Sequence, residues 1–248
     1  MTLNGQVSIP RQTMSISETI PWKRLTAEGF VVVVSILLAF GIDAWWDGYK
    51  DSERQRSQLS AMREEFSDSL NGLDEVLNSI RQHADGVDEL ILLLNGAGGS
   101  KVEVPGPLLG YAIGWRTSDV STSTLDALIA SGDLSFVDSG ALRKNLAGFP
   151  AFLLNLTEDE TLAMEFAESS MSSFLAREGL AEAAYANRPG FGRPGAPEFV
   201  SVTPSAEFVG LLMARRVHFE FALEGLPSVK TYLERLIEEI DRELGRKI

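Results

Sequence analysis

The residues best suited to acid–base or metal chemistry are few and scattered along this 248-residue chain. The two histidines, His83 and His218, have no second histidine or carboxylate at the spacing of a recognised metal-binding motif. Cysteine is absent, which excludes disulfides, thiolate metal sites and cysteine nucleophiles. We therefore predict no catalytic residues, no metal site and no cofactor.

The charged and glycine-rich stretches also match no catalytic motif. The glycine-rich segment 95–100 is not followed by Lys-Ser or Lys-Thr, so it is typical of a linker rather than a phosphate-binding loop. Arg215 and Arg216 could bind an acidic partner, but local salt bridges are the favoured interpretation. Paired carboxylates occur where solvent-facing helix surfaces are expected: Glu64-Glu65, Asp74-Glu75 and Glu238-Glu239. An enzyme would need such carboxylates to converge in a closed pocket.

The overall charge restricts the choice of partners. The formal net charge is −13, and an acidic chain is repelled by phosphate backbones, so nucleic acid is not an expected partner. The hydrophobic fraction of 44% is ordinary for a globular protein. These values predict a folded domain with a core of its own.

An uncharged apolar run near the N-terminus predicts a transmembrane helix over residues 25–46. The run itself, Gly29–Ile42, would span only about 21 Å as a helix. Tryptophans on both sides extend it to about 35 Å, which matches a hydrocarbon core about 30 Å thick with an aromatic residue at each interface. Basic residues at one end can reach the headgroups. The predicted interface residues are Trp22, Lys23, Arg24, Trp45 and Trp46.

Two other interpretations of the run are a buried helix of a soluble protein and a cleaved signal peptide. A buried helix would not need tryptophan at both ends, and Asp43-Ala44-Trp45-Trp46 contains no small-residue cleavage pattern. Basic residues flank both sides in similar numbers. Because Lys23 and Arg24 lie directly at the membrane, we favour a cytoplasmic N-terminus and a periplasmic domain in the bacterial inner membrane, with the opposite orientation left open.

Small residues within the run predict a face that another helix could approach. Ser35 and Ala39 are separated by one helical turn, and Gly41 lies nearby. Ser35, Ala39 and Gly41 are therefore predicted to form a helix-docking face, although small residues are also common in membrane spans generally.

A long amphipathic helix is predicted to continue from the span. Apolar residues recur every seven positions from Leu59 to Val87, which favours either the core face of a bundle helix or a coiled-coil seam. Gly72 and Gly86 each cost about 1 kcal/mol of helix propensity, so packing within a larger bundle is the favoured alternative. A homo-oligomer through the Leu59–Val87 stripe is the other.

Further helices are predicted from capping and breaking residues. Ser123 with Asp126, and Thr157 with Glu160, resemble capping boxes at helix starts. Ser131-Gly132 is interpreted as a helix end with glycine at positive φ. Pro150 is expected to kink or split a helix. Further boundaries are expected at Gly140, Thr203-Pro204, Gly225 and Pro227.

The predicted organisation is mainly α: an N-terminal transmembrane helix continuing into a long amphipathic helix, followed by an irregular helical bundle. Its parts are a polar tail over residues 1–24, the span over 25–46 and a helical membrane-proximal domain over 47–248. Residues 187–204 are rich in proline and glycine and predict a surface loop.

Two segments together resemble a known family. The first runs from Ala27-Glu28 through the apolar run to Asp43-Ala44-Trp45-Trp46 and on to Leu59, Met62 and Glu65. The second contains Thr124–Leu134, Val137-Asp138 and Ala141-Leu142-Arg143. They are similar to a family of uncharacterised bacterial single-span membrane proteins with a long membrane-proximal helix. The resemblance implies an anchored helical domain and no catalytic residues; residues 187–204 match nothing in it.

These observations predict a non-enzymatic, membrane-anchored interaction protein. Its expected partners are the lipid bilayer and other subunits of a larger bacterial membrane complex, whether respiratory, photosynthetic or devoted to transport. The alternative is a single-span sensor that passes a change across the membrane through the long helix. An unrecognised enzyme is a third hypothesis.

Overall fold

A computed structural model of the chain describes the backbone of residues 22–246 and the side chains of residue 26 and residues 28–245. Most of this part is helical, which confirms the mainly α class. The chain divides into two compact units between Ser52 and Glu53. Residues 1–21 of the predicted polar tail lie outside the described residues, whereas residues 22–24 already belong to the first helix.

The first helix, α1, runs over Trp22–Gly96 and supplies the described part of the first unit. Its apolar segment exposes large hydrophobic side chains, among them Phe30, Leu37 and Phe40. Among the described residues, α1 is the one helix long and apolar enough to cross a membrane: an 18-residue window has a mean hydropathy of 2.0 and none of it is buried. A signal sequence would show the same composition.

In the second unit, α1 turns one apolar face into the core. The heptad positions Leu59, Phe66, Leu73, Ile80 and Val87 are all buried within this chain. The bundle interpretation is therefore confirmed. A homo-oligomer through the Leu59–Val87 stripe would require these side chains to leave the core, so this stripe is not available to a second copy in the folded domain.

Six more α-helices complete the described chain. Their bounds are α2 Gly106–Ile113, α3 Ser123–Ser131, α4 Gly140–Phe166, α5 Ser172–Arg177, α6 Ala181–Ala186 and α7 Ala206–Arg246. A short 3₁₀ turn covers Asp133–Phe136, and a π-helical turn, Ala167–Met171, joins α4 to α5. Apolar side chains from α1, α4 and α7 form one core, and ion pairs join α1 to α7 at its surface, such as Asp74–Lys230 at 2.7 Å.

The pairing of two short strands was not predicted. Strand β1, Val102–Pro105, pairs antiparallel with β2, Phe199–Val202, so that Val102 lies opposite Val202. The predicted loop over residues 187–204 is therefore wrong for residues 199–202. Because the partner strand lies far away in sequence, local composition could not show this pairing.

Pro150 and Pro227 each lie inside a continuous helix. Of the kink or split predicted at Pro150, the split is wrong, because α4 continues to Phe166. Phe149 and Phe152 pack against Tyr232 of α7, with ring centroids 5.1 and 4.9 Å away, and these contacts hold the chain helical on both sides of the proline. In the same way α7 contains Pro227, so the predicted boundary between Gly225 and Pro227 is also wrong.

The capping predictions have mixed outcomes. Gly132 adopts φ 79° at the end of α3, as predicted, and Ser139 caps α4 by accepting a bond from the Leu142 amide. The predicted box at Thr157 and Glu160 is wrong, because both residues lie within α4. The cap of α7 is Ser205 rather than Thr203: its hydroxyl accepts a bond from the Phe208 amide at 3.1 Å.

Candidate functional site

The predicted interface residues of the anchor lie on α1. Trp45 and Trp46 are exposed, and the Tyr49 ring stacks on both, with centroids 6.4 and 5.9 Å away. The Lys50 ammonium lies 5.4 Å from the Trp46 ring. The side chains of Trp22, Lys23 and Arg24 lie outside the described residues. Tyr49 therefore extends the aromatic group beyond the tryptophans found in the sequence, and its spacing of one helical turn from Trp45 is the signal that could have revealed it.

The predicted helix-docking face is only partly retained by helical geometry. Ser35 and Ala39 are four residues apart on α1 and share a face, whereas Gly41 is two residues beyond Ala39 and points elsewhere. The Ser35 hydroxyl donates to the Val31 carbonyl oxygen at 2.8 Å, so it needs no partner from another helix. Docking of a helix on Ser35 and Ala39 stays a prediction.

In the second unit, Glu65 of α1 caps the start of α3. Its carboxylate accepts bonds from the backbone amides of Ser123 at 2.6 Å and Thr124 at 3.0 Å, and from the hydroxyls of Ser121 and Ser123. Burial alone would raise the pKa of Glu65, but hydrogen bonds from Ser121, Thr124 and Ser123 outweigh it and lower the pKa to about 2. The predicted local box of Ser123 and Asp126 is therefore wrong: a carboxylate distant in sequence supplies the cap.

The segment between α2 and α3, residues 114–122, borders several cavities of the second unit. Asp119 has φ 44°, an uncommon left-handed conformation for a residue other than glycine. Its carboxylate accepts a bond from the Thr117 hydroxyl at 2.8 Å. The adjacent Ser118 amide donates to Glu160 at 2.9 Å, and burial of Glu160 raises its pKa. Such unusual backbone geometry in an irregular segment often marks a functional position.

One of these cavities is an open acidic groove of about 650 Å³ beside Glu65. Its walls carry the carboxylates of Glu64, Asp68, Glu75 and Asp119, together with Arg116. Among the described residues, no group of three His, Asp or Glu side chains is arranged to hold a metal ion.

A second cavity, which we call the arginine cleft, has a volume of about 610 Å³. Residues 113–119 form one side of the cleft, and the π-helical turn and the C-terminal end of α6 form the other. Its lining combines aromatic rings with charged groups. The lining includes Trp115, Arg116, Asp119, Glu168, Tyr185, Arg188 and Phe191. The Arg188 guanidinium lies 5.0 Å from the Phe191 ring, and the Tyr185 hydroxyl is 2.9 Å from the Ser172 hydroxyl.

Beneath this cleft, Arg215 of α7 is completely buried. It donates to the carbonyl oxygens of Ala163 and Gly114, both at 2.6 Å, and its guanidinium lies 5.0 Å from the Trp115 ring. Within the described part of the chain it has no ion pair with a carboxylate. Burial is the main cause that lowers its pKa to about 9, and the positive charge of the nearby Arg188 acts in the same direction.

The two adjacent arginines thus have different environments. Arg216 forms the predicted local salt bridge with Glu220 at 3.2 Å and a distant one with Asp88 at 2.9 Å, whereas the local salt bridge predicted for Arg215 is wrong. Arg215, one position earlier, faces the core. Arginine is rarely buried without a carboxylate, and only the tertiary structure reveals which of the two is inside.

The two histidines pack against different aromatic rings. His83 is buried against Tyr111, with ring centroids 5.2 Å apart, and its Nδ1 lies 2.6 Å from the Ser79 carbonyl oxygen. Burial lowers its pKa, and the charges of Arg215, Arg188 and Arg116 lower it further. His218 packs against Phe166 and its pKa is also lowered by burial. Arg215, Arg188 and Arg116 therefore all place positive charge near His83, although the chain as a whole is acidic.

Sequence reasoning missed the arginine cleft entirely. The aromatic and basic residues that line it are spread over residues 113–191, with no common spacing. The available signal is the group of arginine, aromatic and glycine residues within 187–204, a segment that by itself predicts only a surface loop.

Comparison with known proteins identifies no family. No protein-family model matches the chain, and searches of curated proteins and of solved structures found no match either. The resemblance to uncharacterised single-span membrane proteins therefore stays a prediction.

Proposed function

We propose that this chain is a membrane-anchored, non-enzymatic interaction protein, an accessory subunit of a larger bacterial membrane protein complex. The anchoring part is supported by the apolar segment of α1, which is long enough to span a bilayer and leaves its side chains exposed. Trp45, Trp46 and Tyr49 at its end are the aromatic residues favoured at a membrane interface.

The interaction part is carried by an exposed apolar stripe on α7. Met213, Val217 and Phe221 follow one another at intervals of four and are 59%, 44% and 49% exposed. The opposite face of the same helix is already in the core, with Leu212 and Phe219 buried. A surface helix normally needs one apolar face, so a second one indicates a contact with another protein.

The apolar segment of α1 also has a proposed membrane and orientation. We propose the bacterial inner membrane, with the N-terminus in the cytoplasm and the domain in the periplasm, because Lys23 and Arg24 lie closest to the apolar run. Fusion of a periplasm-dependent and a cytoplasm-dependent reporter enzyme at each terminus tests it. Activity of the cytoplasmic reporter at the C-terminus would reverse the orientation.

The subunit role is tested by extracting native membranes with a mild detergent and analysing the tagged protein by native electrophoresis and mass spectrometry. We expect a complex larger than one chain. The triple variant Met213→Ser, Val217→Ser and Phe221→Ser should lose the partner proteins that are purified with the wild type. The matched control is Ile129→Ser, which removes an exposed apolar side chain from α3. Migration of the wild type as a single chain, or unchanged partners in the triple variant, would contradict the proposal.

A second function, transmembrane signalling, is favoured by one observation: α1 includes both the apolar segment and the core stripe of the second unit. A signal could then pass along a single helix between paired chains. Since the chain has no cysteine, single cysteines placed at exposed α1 positions report pairing by disulfide formation in membranes. Cross-links with helical periodicity would support signalling through a dimer; no cross-link at any position would count against it.

A further inference from the structure

The arginine cleft has the size and lining of a small-molecule site. Its volume of about 610 Å³ lies within the range of roughly 300–1,000 Å³ that is usual for such sites. Trp115, Tyr185 and Phe191 provide aromatic walls. Phe191 is 69% exposed although it is a large apolar residue, so its ring is available to a bound molecule.

The cationic groups of the cleft are free to bind an anion. Arg116 and Arg188 both line it, and neither takes part in an ion pair within the part of the chain that the structure describes. Two carboxylates also line the cleft, and both carry a negative charge that opposes an anion. Asp119 accepts a hydrogen bond from the neutral Thr117 hydroxyl, which does not remove that charge. Glu168 is exposed on the π-helical turn of the other wall.

A third positive charge lies behind the cleft. The guanidinium of Arg215 is 5.0 Å from the ring of Trp115, which itself lines the cleft. Its hydrogen bonds go to two backbone carbonyls and its cation–π contacts to two rings, and among the described residues it forms no ion pair that would offset its field. In a low-dielectric interior such a field extends further than at the surface.

A hydrogen-bond donor at the same place also lacks a partner. The indole N–H of Trp115 is buried and has no acceptor in the described chain. Buried N–H groups nearly always have a partner.

We propose that the arginine cleft binds a small organic oxyanion, a carboxylate or phosphate monoester carried on an aromatic or branched apolar body. Arg116 and Arg188 bind the oxyanion, because guanidinium groups match the paired oxygens of both classes. Trp115, Tyr185 and Phe191 contact the apolar body. This site goes beyond the proposed function, since it uses no residue of the anchor or of the α7 stripe.

The test is calorimetric titration of the full chain in nanodiscs of zwitterionic lipid, with empty nanodiscs as the blank. The probes are phenyl phosphate, phenylacetate, inorganic phosphate and the uncharged benzyl alcohol. We expect phenyl phosphate or phenylacetate to bind more tightly than about 1 mM, and benzyl alcohol to bind at least about tenfold more weakly. Equal binding of the neutral probe, or no aromatic anion binding below that limit, would overturn the proposal.

Variants assign the binding to named residues. Arg116→Gln and Arg188→Gln should each weaken the better aromatic anion by about tenfold to a hundredfold, as loss of a charge-assisted bond does. Arg81→Gln, at an exposed arginine of α1, is the control and should bind like the wild type. Glu168→Gln should bind the anion more tightly, because a like charge has been removed.

Phe191→Ala separates the two halves of the proposed ligand. It should weaken phenyl phosphate but leave inorganic phosphate unchanged. Since Phe191 and Arg116 are exposed, their variants should keep the helical circular dichroism of the wild type. Wild-type affinity in both arginine variants would overturn the assignment to this cleft, whatever the result for the anchor or the complex.

Discussion

Replacing Glu65 with glutamine removes the carboxylate that caps α3 but keeps the size of the side chain. The amide group of glutamine keeps one acceptor oxygen but places an NH2 donor at the other position, so the amide of either Ser123 or Thr124 loses its acceptor. The lost interactions are charge-assisted hydrogen bonds from a helix N-terminus, and these are stronger than neutral ones.

The pKa of Glu65 sets the size of the effect. A pKa lowered from the usual 4.5 to about 2 corresponds to at most about 3.4 kcal/mol in favour of the folded state. Since the side chain is partly exposed, solvent screening reduces this value. We expect Glu65→Gln to lower the free energy of unfolding by about 2 kcal/mol at pH 7, and the unfolding temperature by about 4–8 °C.

The sign of the pH dependence follows from the same shift. The folded-state pKa is depressed, so the stabilisation by Glu65 is complete above about pH 4.5 and is lost as the pH falls towards 2. The difference in stability between the wild type and Glu65→Gln should therefore be constant from about pH 7 to pH 5 and shrink steadily below it. Other carboxylates titrate in both proteins and do not affect the difference.

The assay is urea unfolding of the full chain in zwitterionic micelles, followed by circular dichroism at a series of pH values. Glu64→Gln is the matched control, because Glu64 is the exposed neighbour on α1; it should stay within about 0.5 kcal/mol of the wild type. A Glu65→Gln protein as stable as this control at pH 7, or a difference that does not shrink between about pH 5 and pH 3, would refute the capping role.

Two further predictions use matched pairs on α1. Gly86→Ala should destabilise the protein by about 1–3 kcal/mol, because a Cβ at residue 86 would overlap the Tyr111 ring. Gly72→Ala should instead stabilise it by up to about 1 kcal/mol, because a Cβ at residue 72 meets open space. Urea unfolding measures both, and a stabilising Gly86→Ala would contradict the packing against Tyr111. Leu37→Arg should oppose membrane insertion by about 2.5–3.5 kcal/mol and increase the fraction of the protein that alkaline carbonate extracts from membranes. Leu92→Arg, at a residue 72% exposed in the second unit, is the control and should leave that fraction unchanged. Equal extraction of the two variants would argue against a membrane span.

The buried apolar face of α1 illustrates what local patterning predicts well. Hydrophobic periodicity is a property of neighbouring residues, so the spacing of apolar residues was enough to name the buried positions from Leu59 to Val87. On α7 the structure buries Val229, Leu233, Leu236 and Ile240 at similar helical spacing, and partly buries Leu244. The length of the apolar run near residue 30 likewise depends only on consecutive residues.

Helix boundaries at the prolines depended on distant partners instead. Pro150 has the chemistry of a helix breaker. The outcome was decided by Tyr232, which packs on Phe149 and Phe152 from another helix. No local rule contains that contribution, so the sequence left open a split that the fold does not make.

The sequence alone therefore determined the class of the molecule: a mainly helical chain with an apolar segment of membrane-spanning length and no motif for metal or nucleophilic chemistry. The tertiary structure decided which polar groups meet. Glu65 reaches the amides of α3, Arg215 is placed inside while Arg216 remains at the surface, and Arg116 and Arg188 come together at one cleft. The reason is physical: helix and membrane signals arise from neighbouring residues, whereas charge burial and cavities arise from residues that only folding brings into contact.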